Sequence, residues 1–455
     1  MFTDEQVMLC LAGISYRGFF AAGFGRSNSE VLRTAIERGI DGLAPLRDGW
    51  DIVWGPAHYR GPLSLFDDKL VYIARDRQLP LRYAVVVRGT NPISATDWLF
   101  GDLWTGHQAA WRYGDSSARV SLSAALSLSI VQGLRSAGPR HDATARIWDN
   151  IDGRSAQLRN VALEVTGPVA RLTDAALEPL RRQFLQALQQ LAGVPHGITQ
   201  SDAETRLAGC LELWRSMPRK FLFDVIDRVA MLAGEHVDSL LLSWIERDAR
   251  FRSSLGTGSD LRSFLTAAVE DAHGPIDVVV VGHSKAGAVA STVALWLAET
   301  QGTQVAEAER WDPGCRATVH CYSYAGPTAG NAEFARRSDS LLGARCHRIW
   351  NRLDIVPYAW VVNDLTKVPD LYMPDIGRVG LVSDLVDEIQ RQVQPLSYTQ
   401  LGGVVHELNG KLEPKKPFFF AQLAHQHFDS YLSELDLTRH GITQAVLFDQ
   451  PTSMS

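Results

Sequence analysis

The stretch that most constrains this chain is DVVVVGHSKAGAVAS, Asp277 to Ser291. Four consecutive valines read as a strand buried on both faces, the pattern of an interior strand in a parallel sheet. They run without a loop into Gly282, His283 and Ser284, and the sequence AGAVASTVALWLAET that follows has a helical pattern. A chain that turns from a strand end straight into a helix forces the junction residue into a strained backbone, so the neighbours two residues either side must be small. Here they are Gly282 and Ala286, with Gly287 next. Such a turn lifts the Ser284 hydroxyl above the sheet and points the amino end of the helix toward it, where the Lys285 N–H can stabilise a developing oxyanion. An ordinary helix cap in a loop would not need this crowding.

Short apolar runs rich in Val, Ile and Tyr recur along the chain between stretches of helical periodicity, which predicts an α/β architecture with a mixed or parallel sheet. The expected strands are Trp50 to Gly55, Lys69 to Arg75, Arg82 to Gly89, Ile276 to Gly282, Ala317 to Ala325 and Ala344 to Asn351. Between the third and fourth, over residues 104–260, strand signals nearly vanish. Helical runs such as LEPLRRQFLQALQQLAG and KFLFDVIDRVAMLAGEHVDSLLLSWIERD dominate there. We read residues 1–455 as a single α/β domain and residues 104–260 as a helical cap or lid inserted into it. The apolar stripe of its second helix, from Leu222 through Ile226 and Val229 to Leu240, faces either the core or the site.

A net charge of −6 with 45% apolar and 21% charged residues argues against a broad nucleic-acid-binding surface. The five cysteines are scattered, with no spacing that suits zinc, so reduced thiols and neither metal nor cofactor are expected. The acidic amino terminus, MFTDEQVMLCLAGISYRG, lacks the positive charge of a secretory leader, and no segment approaches the roughly 18 uninterrupted apolar residues of a membrane span. The default expectation is a cytoplasmic protein, with export that needs no cleaved signal left open. Sequence leaves the oligomeric state undetermined.

A serine hydroxyl needs a base to act at neutral pH, and the base needs a partner that fixes its tautomer. In WNRLDIVPY, Asp354 follows a predicted strand, where catalytic groups gather at the carboxyl edge of an α/β sheet; Asp312 and Asp375 are rivals in loops without that signature. FFFAQLAHQHFDSYLSEL offers His425 and His427 as the base, and His427 is preferred. The chain order Ser284, Asp354, His427 is that of the α/β hydrolases.

These residues resemble the class 3, fungal-lipase-like lipases of the α/β-hydrolase superfamily. YAVVVRGTNPISATDWLFGDL resembles the oxyanion-strand block of that family and VVVVGHSKAGAVA its serine elbow. YSYAGPTAGNAEFARR is similar to the F-G-x-P-x-x-G-N-x-x-F block, NRLDIVPY to the block that holds the catalytic aspartate, and HQHFDSYL to the terminal histidine block. The resemblance implies an α/β-hydrolase fold with a mostly parallel central sheet and a long, mainly helical cap or lid. It assigns Thr90 to the oxyanion hole beside Lys285, with Asp97 and Trp98 as supports. It implies hydrolysis of carboxylic esters with an apolar acyl chain through Ser284, Asp354 and His427, on a lipid or small-ester substrate met at a transient membrane or lipid interface. Phospholipase or acyltransferase chemistry would use the same three residues, and a non-catalytic lipid-binding module is the remaining alternative. The chain departs from the family in the length of the insertion, in Ala286 for the last motif glycine, and in Lys285, which is either a solvated helix residue or a contact to an anionic group.

Overall fold

The computed structural model describes residues 2–17, 29–59, 69–89, 106, 108–114, 117–137 and 257–448. Eleven strands run through these residues: β1 (Trp50–Tyr59), β2 (Lys69–Asp76), β3 (Arg82–Val87), β4 (Gln108–Ala110), β5 (Arg119–Ser121), β6 (Arg135–Ala137), β7 (Thr257–Asp260), β8 (Ile276–His283), β9 (Ala317–Tyr324), β10 (Cys346–Asn351) and β11 (Val404–Leu408). Seven form the main sheet in the order β1-β2-β3-β8-β9-β10-β11. The first three pair antiparallel, and β3 through β11 are parallel, so the sheet is mostly parallel.

The valine run occupies β8 between β3 and β9, and Val278 to Val281 are all buried. Its helix, Lys285–Glu299, buries nearly every residue from Ala286 to Leu297. The small residues at its start allow that depth: a Cβ on Gly287 would lie 2.8 Å from both Gly326 Cα and Ser323 Oγ. The elbow therefore packs directly on the carboxyl edge of β9.

On one face of the sheet lies the amino-terminal helix Asp4–Ile14. It is opened by a capping box in which Thr3 and Gln6 exchange side-chain and backbone hydrogen bonds. Its residues from Met8 to Ile14 are buried in the principal core with Leu32, Ile36, Tyr72, Val279 and Val281. Two buried tyrosines of the sheet fix it, Tyr72 Oη donating to Leu11 O at 2.7 Å and Tyr324 Oη to Glu5 O at 2.6 Å. No helix among the described residues is long and apolar enough to cross a membrane.

A second apolar cluster is built by the segment between β10 and the helix Phe419–His427, including Tyr358, Trp360, Tyr372, Val382, Val386 and Phe419. The expected insertion, residues 104–260, falls mainly outside the described residues. The chain divides into one compact unit, residues 1–141 with 242–455, and a second, residues 142–241, which lies wholly among the residues not described. The two ends of the insertion belong to the first unit and carry the hairpin β4–β5, a buried helix Leu122–Gly133 and the β6–β7 pair. Strand pairing, which periodicity over three or four residues cannot reveal, joins the two ends of the insertion to each other through β6 and β7. The stripe from Leu222 to Leu240 lies outside the described residues.

Candidate active site

Ser284 sits at the strand-to-helix junction with φ 72° and ψ −138°, a strained conformation for a residue with a Cβ. Its amide donates to Tyr324 O at 2.8 Å, and its carbonyl accepts from Gly287 N at 2.7 Å, so the turn is pinned on both sides. The bend brings Ala286 so close that a Cβ on Gly282 would lie 2.1 Å from Ala286 O; only glycine fits. The Lys285 amide donates to Ser284 Oγ. That N–H, at the first turn of the helix, points at the serine hydroxyl.

The end of β3 passes against the same turn. A Cβ on Gly89 would stand 2.6 Å from Tyr16 Oη and 2.8 Å from His283 O, so the glycine of the R-G-T triplet is dictated by close backbone approach. Thr90, the expected oxyanion residue, follows Gly89 and lies outside the described residues, as do Asp97 and Trp98.

Asp354 lies on the turn after β10 and is fully buried. Its Oδ1 accepts the Val356 N–H at 3.1 Å. Its Oδ2 accepts from His427 Nδ1 at 2.8 Å and from Tyr431 Oη at 2.9 Å. A carboxylate with three donors is held in one orientation. Because Nδ1 of His427 carries the proton given to Asp354, the neutral imidazole keeps its basic lone pair on Nε2. Asn351, first residue of the N-x-x-D block, ties the two segments together: its Nδ2 donates to Gln426 O and to Gln426 Oε1, both at 2.9 Å, and its amide donates to Tyr431 Oη at 3.0 Å. Burial, and then the charge of Asp354, push the Tyr431 phenol well above its usual range, so its hydroxyl stays a donor.

His427 is the last residue of its helix, and Phe428 breaks the helical conformation at φ −122° and ψ −66°. The carbonyl released there accepts from His283 Nε2 at 3.0 Å. His283 precedes Ser284, and its ring packs 4.7 Å from His427, 5.1 Å from Phe428 and 5.9 Å from Tyr431, centroid to centroid. Burial first, and then the neighbouring His427, hold His283 well below the usual histidine range, so it is a neutral donor. His283 thereby joins the serine elbow to the histidine helix.

The other residues singled out in the sequence have separate partners. His425 Nδ1 lies 3.2 Å from Asp429 Oδ2, one helical turn away, and does not meet Asp354. Asp312 accepts from Gln301 Nε2 and Ala317 N, both at 2.8 Å, and organises the entry to β9. Asp375 is exposed. Lys285 lines a narrow cleft with Ser121, Ser123, Ala124, Thr328 and Trp360. Sequence reasoning missed His283, Asn351 and Tyr431. All three stand inside motifs already quoted, Tyr431 in the terminal histidine block four residues after His427.

Similarity to known proteins falls on the same elements. Residues 224–363, which hold the elbow and Asp354, match the family profile described as lipase (class 3). The chain is similar to the crystal structure of M37 lipase, with a TM-score of 0.65 and 23% identity over 99% of this chain and 98% of that one. The fold is the α/β-hydrolase fold of lipases. The mono- and diacylglycerol lipase of Aspergillus oryzae is similar at a TM-score of 0.31 and 13% identity, over 80% of this chain and 77% of that one. None of the curated proteins matches. The family match over residues 224–363 supports a lipase-type hydrolase.

Proposed function

We propose that the protein is a serine hydrolase that cleaves carboxylic esters of fatty acids through Ser284, His427 and Asp354. The observation that carries this reading is the buried Asp354–His427 pair at 2.8 Å, coupled through His283 to a strained serine whose Oγ already receives the Lys285 N–H. His427, kept in the Nδ1–H tautomer by Asp354, takes the Ser284 proton on Nε2 as the hydroxyl attacks the ester carbonyl. The Lys285 amide, and that of Thr90 by the family resemblance, stabilise the tetrahedral oxyanion. Collapse expels the alcohol, which receives the proton from His427, and leaves an acyl-serine. Water, deprotonated in turn by His427, releases the fatty acid and restores the hydroxyl.

The test is hydrolysis of p-nitrophenyl esters of graded acyl length by wild type and Ser284→Ala, with triacylglycerol and phospholipid run beside them. Ser284→Ala is expected to lower turnover by about three or more orders of magnitude while thermal unfolding stays near that of wild type. Turnover that survives the substitution would remove Ser284 from the chemistry. The preferred acyl length and headgroup define the substrate.

A further inference from the structure

The sequence KLEPKKPFFF, Lys411 to Phe420, leads into the helix that ends at His427. Its three phenylalanines divide sharply. Phe419 is buried at 3% exposure, with its ring 4.9 Å from that of Tyr372, whereas Phe418 is 72% exposed and Phe420 37% exposed. Across the Tyr372 contact, Met373 is 51% exposed. Two phenylalanines left in water two residues apart, at the start of one helix, are the kind of apolar surface that binding sites use. The polar surroundings narrow the choice of partner. Lys411 to Phe420 contains three lysines and one acid, Glu413, in a chain whose net charge is −6. Lys411 and Lys415 are exposed, and Lys416 reaches Asp429 at 3.3 Å.

From this we infer that Phe418, Phe420 and the flanking Lys411 and Lys415 form a docking surface for an anionic lipid bilayer. Phenylalanine rings beside lysines match the boundary between acyl chains and headgroups: the rings enter the apolar side, and the ammonium groups stay with the phosphates. A symmetric pair of such patches would set lysines against lysines, so a second copy of this chain is the poorer fit. The nine-residue helix Phe419–His427 carries the docking end and the base at opposite termini, about 12 Å apart at 1.5 Å per residue. Docking there would seat the bilayer on the element that ends at His427. The inference extends the ester-hydrolase reading by naming how the substrate surface is met.

The test uses the full-length chain carrying Ser284→Ala, so that the lipid stays intact, and measures co-sedimentation with vesicles of phosphatidylcholine alone or mixed with phosphatidylglycerol. Binding is expected on the anionic vesicles and should weaken as salt is raised. Phe418→Ser combined with Phe420→Ser should lower the affinity roughly tenfold or more. Lys411→Glu combined with Lys415→Glu should remove the preference for phosphatidylglycerol. Thermal melting checks that each variant is folded; should the serine pair unfold, Phe418→Trp alone should show a blue shift of its added emission when vesicles are present. A folded parent that ignores the vesicles, binding that neither pair of substitutions alters, or dimerisation lost with the phenylalanines would overturn the inference. Because the parent cannot turn over, vesicle binding without ester hydrolysis by wild type would keep this surface and discard the catalytic reading alone.

Discussion

His283→Gln separates the two jobs that the structure gives to His283. The ring is 5% exposed, donates from Nε2 to the His427 carbonyl, and is held neutral by burial and by His427. In the unfolded chain a histidine titrates near 6.5, so below that pH the unfolded state binds a proton that the native state refuses. Stability therefore falls with acidification, by ~1.4 kcal/mol for each pH unit well below 6.5, until the depressed native value is reached. Between pH 7 and pH 5 this amounts to at most about 2 kcal/mol from His283 alone. Glutamine is neutral throughout and keeps an Nε2 donor for the carbonyl. Urea unfolding of wild type and His283→Gln at pH 5, 6, 7 and 8 should give curves that diverge toward acid, wild type losing up to about 2 kcal/mol more. His320 and His347, both also shifted down by burial, contribute equally to the two proteins and cancel. Parallel stability curves would refute the reasoning, because they would mean that His283 accepts its proton in the native state.

Three further substitutions probe the same neighbourhood. Tyr431→Phe removes a donor to Asp354 and strands the buried Asn351 N–H, which should cost about 2–4 kcal/mol by urea unfolding. Gly282→Ala places a Cβ 2.1 Å from Ala286 O and should destabilise by more than about 3 kcal/mol, read as a fall in the thermal midpoint. Lys285→Ala keeps the amide that faces Ser284 Oγ, so kcat/KM on a neutral ester should fall by far less than the ~3 kcal/mol expected for loss of an oxyanion donor.

The centre of the sheet was legible because β2, β3 and β8 are buried on both faces and so carry near-continuous apolar runs. All six expected strands occur, with ends shifted by a few residues. The seventh, β11, was not legible: Val404, Val405 and Glu407 are exposed on an edge strand, and nothing in VVHEL separates it from a loop. The pairs β4–β5 and β6–β7 are too short for periodicity and exist through their partners. In the candidate site, Ser284 was legible through the small residues its turn demands, and Asp354 through its place after a strand; the choice of His427 rested on the terminal histidine block. The pairing of His427, rather than His425, with Asp354 depends on where a helix ends, and the bonds from His283, Asn351 and Tyr431 cross the chain. Neither is encoded in any single stretch of sequence.

The ties from Asn351 to Gln426 and Tyr431 bring together the two ends of everything between Asp354 and His427. That segment, with its own apolar cluster and its lysine and phenylalanine rim, is thus a loop closed at the base by the very bonds that align the acid and the imidazole. Lengthening or replacing a loop whose ends are already fixed costs only logarithmically in closure entropy. Variation in this region is therefore mechanically insulated from the site, so the exposed surface of the loop can be exchanged while Asp354 and His427 keep their places.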